Sequence, residues 1–205
     1  LLVLACSRLD AWVSLVNARL SEREIDTFID HSRARVVIGL AEASTEAVRH
    51  LQRLGGQPRC WPGAGDVLLA AGHPEASPEP VSEAAAEQVA ALIYTSGTSG
   101  APKGVMLTHA NLLFIAANSR RQRRLSSTDR VYGVLPLSHV YGLTAVLLAT
   151  LSAGASLVLA ARFAPEAMAR ALADEGITVL HGVPAMYAKL LEWGDRPGNT
   201  LRAPA

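Results

Sequence analysis

The chain has 205 residues, half of them hydrophobic and 18% charged, which is enough apolar matter for a real core and excludes a disordered chain. A net charge of +1 leaves no bulk field to draw nucleic acid or a membrane surface. Two cysteines, Cys6 and Cys60, are too few and too far apart for a disulfide framework or a zinc site, and no apolar run approaches the roughly 18 residues of a membrane span, so a reducing, cytoplasmic setting is expected.

LLVLAC opens the chain inside an apolar pattern, without the positive segment of a secretory leader. Residues 1–16 predict an apolar helix running into a short strand around Trp12–Val16. Ser21 with Glu24 three residues on is a capping box, opening a helix to about Ser32. Ala34–Leu40 is a run of strand formers expected to be buried. Glu42–Leu54 predicts an amphipathic helix stopped by Gly55-Gly56. Helix alternating with short apolar strand is the pattern of a parallel sheet with crossover helices. Residues 57–82 change character: proline and glycine dominate, and a loop-rich crossing is expected. His73 falls here as a solvated loop residue, and Glu83–Val89 suggests a helical turn.

The next stretch organises the chain. In Leu92–Thr108, two apolar runs, Leu92-Ile93-Tyr94 and Val105-Met106-Leu107, read as buried strands. They flank a loop holding Thr95, Ser96, Gly97, Thr98, Ser99, Gly100, Lys103 and Gly104. Glycines let backbone N–H groups approach an anion, hydroxyls donate further bonds, and a lysine adds charge. Pro102 stiffens the turn into Lys103. The Walker spacing G-x-x-x-x-G-K-[ST] is absent, and a flexible Gly/Ser linker is the bland rival. The residues alone point to a grip for nucleotide phosphate or another polyanion.

Thr108 suits the N-cap of a helix through about Arg124. Arg120, Arg121, Arg123 and Arg124 close that helix; an anion or RNA patch is one reading, and favourable helix-end charge is the preferred one. Asp129 begins a tight return to strand Val131–Leu135. Pro136–Leu143 (PLSHVYGL) leads into an apolar helix to about Leu151, then come strand Ser156–Ala160, helix Pro165–Glu175, strand Ile177–Leu180, the exit loop His181–Pro184 and helix Ala185–Trp193. This back half is doubly wound in pattern. His139, Tyr141 and His181 follow strand ends, where open α/β sheets bind ligands. No Ser-His-Asp order, carboxylate pair or HExxH supports hydrolysis or zinc chemistry.

The string Leu92–Lys103 resembles the AMP-binding signature of the adenylate-forming superfamily, which includes acyl-CoA synthetases and peptide-synthetase adenylation domains. PLSHVYGL and ITVLHGVPAMYAKLL (Ile177–Leu191) are similar to the segments that follow it in acyl-CoA synthetases, although Ser138 stands where an aromatic is frequent. The resemblance implies a partial N-terminal domain of that α/β fold, with the C-terminal part and small lid domain absent over residues 1–205. It implies a parent acid–CoA ligase for a fatty or aryl acid, using ATP, Mg²⁺ and CoA. Thr95, Ser96, Gly97, Thr98, Ser99, Gly100 and Lys103 would then hold the β- and γ-phosphates. His139 would be the catalytic residue beside the reacting carboxylate, with Tyr141, Gly182, Val183 and Pro184 lining the acyl and thioester side. No protein metal ligand is expected. The family's adenine loop, Mg²⁺-binding Glu, ribose Asp and C-terminal Lys have no counterpart here, so the chain by itself is expected to be inactive and to self-associate. An adenylation domain loading a carrier protein, and a non-catalytic nucleotide-binding module, are the alternatives.

Overall fold

A computed structural model describes residues 2–63, 65–95 and 102–201. The chain divides into two compact units, Leu1–His109 and Ala110–Ala205.

The first unit opens with α1 (Leu2–Arg8) and the short β1 (Val13–Ser14). The capping box forms as expected on α2 (Glu22–Ser32): the Ser21 hydroxyl accepts from the Glu24 N–H, and the Glu24 carboxylate accepts from the Ser21 N–H at 2.8 Å. The Ser21 hydroxyl also donates to the Glu24 carboxylate at 2.6 Å, and that bond first, with the Ser21 N–H second, holds the Glu24 carboxyl below its usual range. β2 (Val36–Leu40) and α3 (Thr45–Arg53), capped by Ser44, follow. Residues 57–82 depart from the loop expectation. They contain β3 (Gln57–Trp61) and β4 (Gly65–Ala71), paired antiparallel, with Gly63 and Gly65 at φ 79° and 80° in the reversal. The glycines that suggested a loop instead supply a left-handed hairpin turn.

β4 is the central strand of the order β2-β4-β3, antiparallel on both sides. The parallel sheet expected from the front half is therefore not formed by these strands, because β2 pairs with the second arm of the hairpin rather than across a helical crossover. As an outer strand, β2 is also less buried than its composition suggests: Val36 is 54% exposed.

A second sheet, β1-β5-β6, is built on β5 (Val89–Thr95), parallel to β1 and antiparallel to β6 (Lys103–Thr108). Ala90, Ala91 and Ile93 bury this central strand, whereas Met106 on β6 is 59% exposed. Of the two flanking runs, only the first is thus a core strand.

The second unit has the doubly wound form expected of the back half. α4 (His109–Arg123) begins directly after β6. The turn into β7 (Arg130–Gly133) is pinned by Asp129, whose carboxylate accepts from the Ser126 N–H at 2.7 Å and the Thr178 hydroxyl at 2.8 Å. Those bonds depress the Asp129 carboxyl. A π-helix over Gly142–Leu148 runs into α5 (Ala149–Ser152), then β8 (Ser156–Leu159), α6 (Pro165–Asp174), β9 (Val179–Leu180) and α7 (Pro184–Gly194). The strand order is β8-β7-β9, all parallel. Adjacent residues of β7 point to opposite faces. Val131 packs with Ala116, Val146 and Ala149, and Tyr132 packs with Met168, Ile177 and Leu190. One strand thereby organises both helical layers.

Candidate active site

The predicted phosphate grip is the segment joining β5 to β6. Thr95 and Lys103 are the last paired residues, opposite one another, and Lys103 is exposed. Ser96, Gly97, Thr98, Ser99 and Gly100, predicted to contact phosphate, lie outside the described residues. The strand pair is anchored one residue before Thr95. Tyr94 stacks on Phe28 of α2 with centroids 4.0 Å apart, and its hydroxyl lies 2.9 Å from Nδ1 of His31. Burial pushes the Tyr94 phenol up. On β6, Gly104 lies across from the Tyr94 ring, where a Cβ would make ordinary contact at 3.4 Å. Sequence reasoning placed Tyr94 only as a strand residue; its aromatic pairing with α2 gave no local signal.

The second cluster is in the Ala110–Ala205 unit. From β7 the chain passes to β8 on one side, then through α6 to β9 on the other. Such a reversal is where open α/β sheets place their ligand crevice, beyond the carboxyl ends of the strands, here β7 and β9; His139 and His181 follow those two ends. Pro136–His139 forms a turn, with the His139 N–H donating to the Pro136 carbonyl at 3.1 Å. Gly142 then passes so close that a Cβ there would meet the Pro136 carbonyl oxygen at 2.1 Å. Past β9, Gly182 lies under the Tyr187 ring, 2.9 Å from a built Cβ, and the Tyr187 hydroxyl donates to the Leu180 carbonyl at 3.2 Å. Val183 precedes α7 as its N-cap and Pro184 is its first residue, where a fixed φ suits the helix start.

Of the predicted residues, the structure brings Tyr141 and His181 together, whereas His139 is exposed. The Tyr141 hydroxyl is 3.3 Å from Nδ1 of His181. Arg123, from the last turn of α4, donates to that hydroxyl at 2.8 Å and to the Ser119 hydroxyl at 2.9 Å; Ser119 in turn donates to the Ala145 carbonyl of the π-helix at 3.1 Å. The Tyr141 hydroxyl is thus shared between the Arg123 guanidinium and Nδ1 of His181. His181 is 3% exposed and Nε2 has no partner among the described residues. Burial, with the Arg123 charge second, lowers its pKa from 6.5 to about 4, so the ring is neutral at physiological pH.

Arg123 is the residue the sequence reading missed. Spacing puts it with Arg120, Arg121 and Arg124 as helix-end charge, yet Arg120 donates to the Ser152 carbonyl at 2.9 Å, and of the four it is Arg123 that reaches Tyr141. The spacing of Ser119 and Arg123, one helical turn apart, was the available clue.

The sequence profile of AMP-binding enzymes matches residues 1–203. Over 198 residues the chain is 35% identical to the 2-succinylbenzoate–CoA ligase of Bacillus licheniformis, an alignment covering 97% of this chain and 39% of that enzyme. It is 34% identical over 183 residues to the sulfoacetate–CoA ligase of Cupriavidus necator, covering 87% of this chain and 36% of that enzyme. Among solved structures, ATP-bound MatB from Rhodopseudomonas palustris superposes with a TM-score of 0.69 at 26% identity, over 96% of this chain and 38% of that one. The chain thus spans about two fifths of the length of the curated relatives it matches. With both the Leu92–Lys103 signature and the β7–β9 crevice inside the matched span, the chain belongs to the family of AMP-binding enzymes.

Proposed function

We propose that this chain is part of the large N-terminal domain of an ATP-dependent, AMP-forming acid–CoA ligase that works in the cytoplasm. One observation carries this reading: relatives matching nearly the whole chain are ligases that join a carboxylic acid to CoA. No helix among the described residues is long and apolar enough to cross a membrane.

In the first step a carboxylate oxygen attacks the α-phosphorus of ATP, forming the acyl–O–P bond as the bond to pyrophosphate breaks. In the second, a thiolate attacks the acyl carbon and AMP leaves. The difficulty of the first step is charge, because an anion must approach a polyanion; fixed donors and cations lower that cost. By their chemistry Thr95, Ser96, Thr98, Ser99 and Lys103 offer donors and one positive charge to the phosphates, and Gly97 and Gly100 carry no side chain to keep backbone N–H groups from an anion. Tyr94 stiffens the strand pair that carries them. His139, Tyr141, Gly182, Val183 and Pro184 form the acid side at the ends of β7 and β9, with His139 beside the reacting carboxylate.

Among the described residues no three His, Cys, Asp or Glu side chains converge.

The test is acid-dependent exchange of labelled pyrophosphate into ATP by the full-length enzyme, over a panel of aliphatic, aryl and dicarboxylic acids. Exchange with at least one acid, followed by thioester formation with CoA, is the expected outcome. Exchange with none overturns the reading.

A further inference from the structure

We propose that Arg123 determines substrate specificity: held by Tyr141 and Ser119, it selects acids that carry a second anionic group beside the carboxylate that is activated. The proposal rests on the ligase reading above and extends it to a substrate class.

Three features of the cluster carry it. First, Arg123 lacks a counter-ion: among the described residues no carboxylate lies within ion-pair distance of its guanidinium. Second, the cation is held in place. One terminal nitrogen donates to Ser119 and the other to Tyr141, and the guanidinium carbon lies 5.8 Å from the centre of the Tyr141 ring. Two of its five N–H groups are thus spent on orientation, leaving three for a ligand, and the ordering cost of binding an anion is largely met in advance. Third, the neighbouring polar groups cannot do the same work. The Tyr141 hydroxyl already accepts from Arg123 and lies 3.3 Å from Nδ1 of His181, and His181 is buried. At this point of the crevice the charge available for recognition is therefore that of Arg123. A guanidinium matches a carboxylate or sulfonate in a planar, two-bonded geometry, and such charge-assisted bonds are the strong ones.

The anion that meets Arg123 has other conceivable sources in the same reaction, namely the phosphates of ATP or of CoA, and the experiment separates them. The full-length enzyme is assayed with matched acids in which one carboxylate of a diacid is replaced by methyl, across aliphatic and aryl chains. The wild type is expected to favour diacids at least tenfold in kcat/KM. Arg123→Gln is expected to reduce the diacid-to-monoacid ratio at least tenfold, and Arg123→Lys to restore part of it because charge is kept while the planar fork is lost.

A rise confined to the KM for ATP or for CoA in Arg123→Gln overturns the proposal, as does equal loss for both members of each pair. Should Arg123→Gln not fold, the wild-type preference decides: no preference for diacids in an active enzyme sinks this inference while leaving the ligase reading intact. Absence of exchange with every acid sinks the ligase reading instead.

Discussion

The Tyr141 hydroxyl stands 3.3 Å from Nδ1 of His181, joining the residue that precedes the π-helix to the first residue past β9. His181 is buried beside the Arg123 charge, and its pKa is about 4 against an ordinary 6.5. The unfolded chain therefore binds a proton at higher pH than the folded one. Stability from His181 is fully present above pH 6.5 and is lost as pH falls from 6.5 toward 4. Melting temperatures measured across that window are expected to fall with acidification, and the slope is expected to be shallower in His181→Gln. An unchanged slope would remove His181 from the acid-sensitive groups.

Two glycines at the crevice are predicted to respond differently to alanine. At Gly142 the new Cβ would meet backbone, the Pro136 carbonyl oxygen at 2.1 Å, and neither side can yield without unwinding the turn. Gly142→Ala is expected to cost about 3 kcal/mol or more. At Gly182 the obstacle is the Tyr187 ring at 2.9 Å, and Tyr187 is 39% exposed. The ring can swing outward, so Gly182→Ala is expected to cost about 1 kcal/mol. Urea unfolding of both variants checks the order; a cost at Gly182 equal to that at Gly142 would contradict it.

Lys103 starts β6 opposite Thr95, with its side chain exposed. In the full-length enzyme, Lys103→Ala is expected to remove a charge-assisted phosphate contact worth about 1.5–3 kcal/mol in kcat/KM for ATP. Thr98→Ala is expected to cost about 1 kcal/mol, the value of a neutral hydrogen bond. Unchanged ATP kinetics in Lys103→Ala would end the phosphate-grip assignment.

The 205 residues alone are expected to be silent in acid-dependent pyrophosphate exchange. Adenylation needs the triphosphate neutralised, the nucleoside positioned and the carboxylate within about 3–3.5 Å of phosphorus, and the hairpin answers only the first of these. Exposed apolar side chains, among them Met106 on β6 and Phe114 on α4 at 59% and 66% exposure, are expected to drive self-association. Sedimentation and exchange assays on this chain check both; acyl-AMP formed by it alone would mean that residues read as scaffold build the nucleoside site.

Local chemistry determined a good deal by itself. The α2 capping box, the reversal at Asp129 and the strand–helix alternation behind it depend on neighbours within a few residues, so spacing reveals them. The positions of His139 and His181 after strand ends follow from that alternation too. Tertiary structure decided what depends on pairing at a distance. Whether Gln57–Ala71 is loop or hairpin depends on β2 joining β4, because glycine serves a turn and a loop equally well. Whether a strand of apolar residues is buried depends on its rank in the sheet, which separates β5 from β6. Most of all, it set Arg123 apart from its neighbours. Four arginines in five residues are interchangeable as helix-end charge, and only the crossing of α4 with the start of the π-helix brings one of them to Tyr141, and through it to His181.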